Sequence, residues 1–123
     1  MTQILIASGR FEQARKACES RSTPLDEDDR HYCLALAYHA LSLQADAERE
    51  LELFKATDRD AAAYFYAEIY AQFGNKASAL HWLAEAERTH DAALPELRVD
   101  LFLDPIRNEP EFKAIEARLD FPP

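Results

Sequence analysis

Four histidines and two cysteines are the side chains in this 123-residue sequence best suited to hold a metal ion or move a proton. His31, Cys33 and His39 fall on one short stretch. On a helix, residues eight apart lie about 12 Å apart along the axis, so His31 and His39 cannot share one ion. Cys18 and Cys33 have neither CxxC nor metal-ligand spacing. They read as two reduced thiols, buried as small apolar residues, although the spacing leaves a disulfide between them open. Asp26-Glu27-Asp28-Asp29 lacks the glycine and the closing glutamate of a calcium loop, and reads as a solvated run at the positive end of a helix. Two glycines cannot build a phosphate-cradling loop. Ser8, Ser20, Ser22, Ser42 and Ser78 have no nucleophile-elbow context. The expectation is a chain with no catalytic residues, no metal and no cofactor.

The bulk numbers point the same way. A net charge of −9 repels phosphate backbones and anionic lipid, which argues against nucleic acid and membrane surfaces as partners and favours a neutral or basic segment of protein. The longest apolar stretch, Tyr32 to Leu41, is interrupted by His39 and is too short to cross a bilayer. The first ten residues have no basic region ahead of an apolar run, so a secretory leader is not expected and a cytoplasmic setting is. With 48% apolar residues there is material for a core, and with only two glycines there is little for β-hairpins. Alanine, leucine and glutamate are abundant, and all three favour helix.

The elements that would carry these residues repeat. ILIASGRFEQARKAC, AYHALSLQADAEREL and IYAQFGNKASALHWL align without gaps at spacings of 33 and 32 residues. In each, a large apolar residue stands nine positions before an alanine: Leu5 to Ala14, Tyr38 to Ala47 and Tyr70 to Ala79. Two antiparallel helices can approach closely only where one side chain is small, and the alanine supplies that place. Cys18, Leu51 and Leu83 follow four residues later on the same helical face, and Ala86 extends it. Gly9 and Gly74 stand where the first helix of a unit must reverse, with Ser42 in the equivalent middle position.

The pattern predicts a helical stub over residues 2–8 with a partner over 10–21. A helix opened by Thr23-Pro24 then runs to about Leu41, with a partner over 44–56. Another is opened by a Thr57-x-x-Asp60 capping box and continues to about Phe73, with a partner over 76–89. Beyond these, Asp104-Pro105 and Glu109-Pro110 look like helix starts. Leu97, Val99, Phe102, Leu103, Ile106, Phe112, Ile115 and Leu119 are too many apolar residues for a free linker, so the tail reads as a short helix, an ordered turn and a last helix that form a cap.

Over residues 3 to 91 the chain resembles the tetratricopeptide repeat (TPR) family. The likeness rests on Leu34-Ala35-x-x-Tyr38 with Ala47-x-x-x-Leu51, and on Tyr66-Ala67-x-x-Tyr70 with Ala79-x-x-x-Leu83-x-x-Ala86. His31 and Ala63 stand where the family has tryptophan, and the closing proline is missing from both units. The tail resembles the C-terminal end of some bacterial TPR proteins. The resemblance implies an all-α fold of antiparallel helix hairpins stacked as a short TPR-like right-handed α-solenoid with a C-terminal capping helix. Its expected parts are a partial first repeat over 1–21, repeats over 24–56 and 57–90, and a cap over 91–123.

In that family the first helices of the units line a concave groove. Carried onto this chain, the groove residues are Tyr32, Leu36 and His39 on one helix and Tyr64, Glu68 and Gln72 on the next. The competing reading has some of them packing against the cap. The implied function is a scaffold or regulatory module that binds a protein or peptide segment in the groove. The alternative is self-association, a homodimer formed through the N-terminal stub, because Ile4, Leu5 and Ile6 lack a full partner surface. A third reading, a small enzyme using His31 or His39 with nearby carboxylates, needs a deep pocket with convergent polar groups.

Overall fold

A computed structural model describes residues 9–19 and 27–119, with the backbone alone at Glu27, Asp28, Asp29 and Asp60. The described residues are helical and contain no strand. The expected stub over residues 2–8 and the Thr23-Pro24 helix start lie outside them. The chain divides into two compact units, residues 1–59 and 60–123.

The first unit holds α1 (Phe11–Glu19), α2 (Glu27–Ala40) and α3 (Gln44–Asp58). Helix α2 ends because Ser42 adopts the left-handed conformation, φ 65°. The Leu43 amide then donates back to the Tyr38 carbonyl at 2.8 Å, and the Ser42 amide to that of His39 at 2.9 Å. This is the Schellman arrangement, which satisfies carbonyls that the last turn of a helix leaves bare. The reversal takes three residues, so α2 and α3 form an antiparallel hairpin. His39 near the turn meets Gln44, and His31 far from it meets Glu50.

The second unit repeats the device. Here α4 (Ala63–Phe73) stops at Gly74, φ 84°, with the Asn75 amide donating to the Tyr70 carbonyl at 3.0 Å and the Gly74 amide to that of Ala71 at 3.1 Å. The side chain of Asn75 accepts the Ser78 amide and opens α5 (Lys76–Arg88). Ala14, Ala47 and Ala79 are all fully buried, as are Cys18, Leu51, Leu83 and Ala86 on the same faces. The alanines therefore sit inside, where the close helix crossing requires them.

Two expected boundaries differ. Thr57 does not cap a new helix: its hydroxyl donates back to the Leu53 carbonyl at 2.9 Å, and α3 runs on to Asp58. The break comes at Arg59, φ 50°, followed by a 3₁₀ turn over Arg59–Ala62, so α4 starts five residues later than a Thr57 cap would place it. In the tail, Pro105 lies inside a 3₁₀ stretch over Leu101–Ile106 instead of starting a helix, while Glu109-Pro110 does open α6 (Pro110–Arg118). Lys76 pairs with Glu109 at the start of α5 and α6, and Glu87 with Arg118 at their ends, so these two helices run in the same direction.

The cysteines correct the expectation of two reduced thiols. Cys18 on α1 and Cys33 on α2 form a disulfide, their Cα atoms 5.6 Å apart. That separation is within the range a disulfide spans. Linear spacing could not show it, because the bond depends on which faces two separate helices turn toward each other.

Enlarging the crossing residue should be costly. Ala79→Leu is expected to lower stability by about 1–3 kcal/mol through overpacking. Ala84→Leu, on the exposed face of the same helix, should stay within about 0.5 kcal/mol of the parent. Ser42→Gly should raise stability by up to about 1 kcal/mol by removing the left-handed penalty. Urea unfolding of the three variants measures all of this.

Candidate functional site

The residues expected to line a groove divide between the two units, and each half has its own surroundings. On α2, Leu36 is buried, only 2% exposed, and offers no surface. Tyr32 and His39 are half-buried. The Tyr32 ring stands edge-on to Phe54 of α3, centroids 6.2 Å apart. The His39 Nδ1–H donates to Gln44 Oε1 at 2.7 Å, which fixes the ring at the hairpin turn.

On α4 the outcome is different. Tyr64, Glu68 and Gln72 follow one another at helical spacing along one face, as expected, but that face is covered by the chain's own tail. Tyr64 is fully buried and its hydroxyl donates to Asp100 Oδ2 at 2.7 Å. Glu68 is 3% exposed. The Gln72 amide donates to the Phe102 carbonyl at 2.9 Å. This is a correction to the groove assignment. In the second unit Tyr64 and Gln72 bind the cap and Glu68 is buried, because Leu97, Leu103 and Ile106 must bury somewhere and they do so in one core with Tyr64.

Three residues that the sequence reading did not single out build this closure. Asp100 accepts from Tyr64 and, through its other oxygen, caps the following 3₁₀ stretch at the Phe102 amide, 2.9 Å. Asp91 accepts the Ala93 amide within its own turn and the Tyr64 amide at 3.3 Å. It thus supplies an acceptor to the start of α4, where Ala62 has none to give. Arg107 gathers the carbonyls of Leu97, Arg98 and Asp100 and lies 5.3 Å from the centre of the Phe112 ring. An aspartate just before an apolar pair hints at a cap, which is a signal Asp100 carried. Arg107 also pairs with Asp104 three residues back, but that local pair does not mark it as the holder of carbonyls seven to ten residues back.

Elsewhere in the first unit, His31 Nδ1–H donates to Glu50 Oε2 at 2.6 Å, both side chains mostly covered. The nearby Tyr38 hydroxyl donates to Glu19 at 3.2 Å, and burial, followed by that bond, raises its pKa. A histidine oriented by a carboxylate can act as a proton acceptor only beside a substrate-sized pocket. An open depression of about 270 Å³ in this unit is lined by Gly9 to Gln13 and Leu41, and neither His31 nor His39 takes part in it. Among the described residues no group of three or more His, Cys, Asp and Glu is placed to hold a metal ion. No described helix is long and apolar enough to cross a membrane. The residues invoked for homodimerisation, Ile4, Leu5 and Ile6, lie outside the described residues.

The chain matches no protein-family model, no curated protein and no solved structure.

Burial and the bond to Asp100 push the Tyr64 hydroxyl well above the usual tyrosine range. The folded state therefore keeps this proton while the unfolded state releases it near pH 10. The sign follows: the contribution is complete below the unfolded pKa and is lost as pH rises beyond it. Above pH ~10 stability should fall with a one-proton slope of about 1.4 kcal/mol per pH unit from this residue. Tyr64→Phe should remove that slope, and at neutral pH should cost about 1–3 kcal/mol by removing the buried hydroxyl that donates to Asp100 Oδ2. Chemical unfolding of both proteins between pH 7 and 11 checks the two effects.

Proposed function

We propose that this chain is a TPR-type interaction module, a scaffold or regulatory domain that binds a segment of protein and carries out no chemistry itself. In this reading the hairpins belong to a short right-handed α-solenoid, with residues 91–119 as its cap. One observation carries it. The hairpins α2–α3 and α4–α5 use the same Schellman stop and the same buried alanine at positions 32 residues apart, Ser42 and Gly74, then Ala47 and Ala79. That is a structural repeat, and repeat architectures serve mainly as binding surfaces.

The binding face follows from what the fold leaves uncovered. The α4 stripe is occupied by the tail, which leaves the α2 stripe of the first unit, where Tyr32 and His39 remain half-exposed. A tyrosine held edge-on by Phe54 offers rigid contact area at little cost in side-chain freedom. Residues 1–59 carry eleven acidic against eight basic side chains, so the segment bound there is neutral or basic.

Peptides selected on the immobilised protein from an unbiased library should therefore carry zero or positive net charge. Tyr32→Asp should weaken the selected peptide by about 1.4–2.8 kcal/mol, a factor of ten to a hundred. Its circular dichroism should still report a folded helical chain, with a lower unfolding temperature from loss of the Phe54 contact. Selection of acidic peptides, or of peptides indifferent to Tyr32, would count against the reading.

A further inference from the structure

Among the described residues, helix α1 contributes few buried side chains. It has nine residues, and only Ala14 and Cys18 are buried. A helix that short does not persist on its own in water, and a single buried alanine contributes little apolar area. The small core that receives it consists of Ala14, Cys18, Cys33, Leu34 and Ala37, with Tyr38 alongside. Two of those five buried residues are the two halves of the disulfide. Polar contacts also join α1 to α2. Arg30 of α2 donates to the Cys18 carbonyl at 2.6 Å, satisfying a carbonyl of the last turn, and Tyr38 donates to Glu19 at 3.2 Å. By contrast, thirteen buried residues form the core cluster of the second unit.

We infer that the Cys18–Cys33 bond is a redox-controlled fastener, which keeps α1 on the α2–α3 hairpin when oxidised and releases it when reduced. The inference is independent of what the module binds. The reductant is a dithiol. One of its thiolates attacks Sγ of Cys18 or Cys33, the S–S bond breaks, and a mixed disulfide forms. The second thiol displaces the remaining cysteine. Two electrons and two protons pass to the protein, which is left with two thiols, and the reductant becomes a disulfide. The sulfurs belong to residues 0% and 5% exposed, so attack must wait for α1 to lift. Once the bond is gone, α1 keeps its non-covalent contacts, among them buried Ala14 and the bonds from Arg30 and Tyr38, and the docked state loses its covalent advantage. A disulfide spanning 15 residues favours the closed state by roughly a hundredfold.

The experiment is amide hydrogen exchange on the full chain, air-oxidised and then treated with dithiothreitol. Thiol titration should find no free thiol before reduction and two after. Amides of residues 11–19 should exchange roughly a hundredfold faster in the reduced protein, while those of α4 and α5 stay unchanged. A variant combining Cys18→Ala with Cys33→Ala should behave like the reduced protein and ignore the dithiol. Free thiols in the oxidised sample would overturn the inference. So would equal protection of α1 in the oxidised, reduced and double-alanine proteins, or loss of protection throughout the chain on reduction.

Discussion

Close approach of paired helices at a small side chain is the constraint on which the rest of this structure depends. Helix axes 8–10 Å apart leave little room between them for side chains. Ala47 in one hairpin and Ala79 in the other stand buried on the second helix of each pair. Such contact requires the chain to reverse abruptly, within three residues in one hairpin and two in the other. An abrupt reversal requires a left-handed residue, and Ser42 and Gly74 adopt that conformation. Turn and crossing are thus one device. Moving the turn by one residue would rotate the second helix by about 100° and carry its alanine away from the contact.

The second unit shows how an apolar helix face is closed by polar means. Tyr64, Glu68 and Gln72 would be poor companions for an oily tail unless each had a partner, because an unmet buried hydroxyl or amide is costly. For Tyr64 and Gln72 the tail brings those partners with it. Asp100 receives the Tyr64 hydroxyl, the Phe102 carbonyl receives the Gln72 amide, and Leu97, Leu103 and Ile106 supply the apolar burial. Apolar burial favours closure in many registers, whereas a 2.7 Å bond from Tyr64 to Asp100 is made in only one. Arg107 then holds the incoming turn by its carbonyls, so the tail approaches α4 already shaped. Apolar area supplies the affinity of the tail for this face, and the polar contacts set its position.

What the sequence could and could not reveal follows from the range of each interaction. Ala47, Ala79 and Gly74 were legible because their partners lie within one hairpin, and the spacing repeats. Thr57 misled because the same hydroxyl that can cap a new helix can also bond the carbonyl four residues back, and local pattern does not distinguish the two. The groove residues of α4 were placed on the right face and given the wrong neighbour. Helical periodicity says which side chains point together, not whether a chain segment thirty residues away will cover them. The disulfide was illegible for the same reason, since Cys18 and Cys33 meet only because α1 and α2 turn particular faces to each other.

Helix α1 in the first unit and helix α6 in the second are secured in two unlike ways, and the difference has a physical origin. Helix α6 and the turns before it bring Leu97, Leu103, Ile106, Phe112 and Ile115 into one core, and Arg118 adds a two-bond pairing with Glu87 at 2.7 and 2.8 Å. That last contact is exposed and screened, so it steers the helix more than it stabilises it. The apolar residues alone suffice to hold the segment. Helix α1 has the sequence FEQARKACE, in which Phe11 is half-buried and only Ala14 and Cys18 are buried. Burial holds such a helix weakly. Cross-linking lowers the entropy of the undocked ensemble without requiring apolar surface from a short polar helix. A covalent bond is thus the available solution where the sequence is too polar to pack, and packing is the solution where it is not.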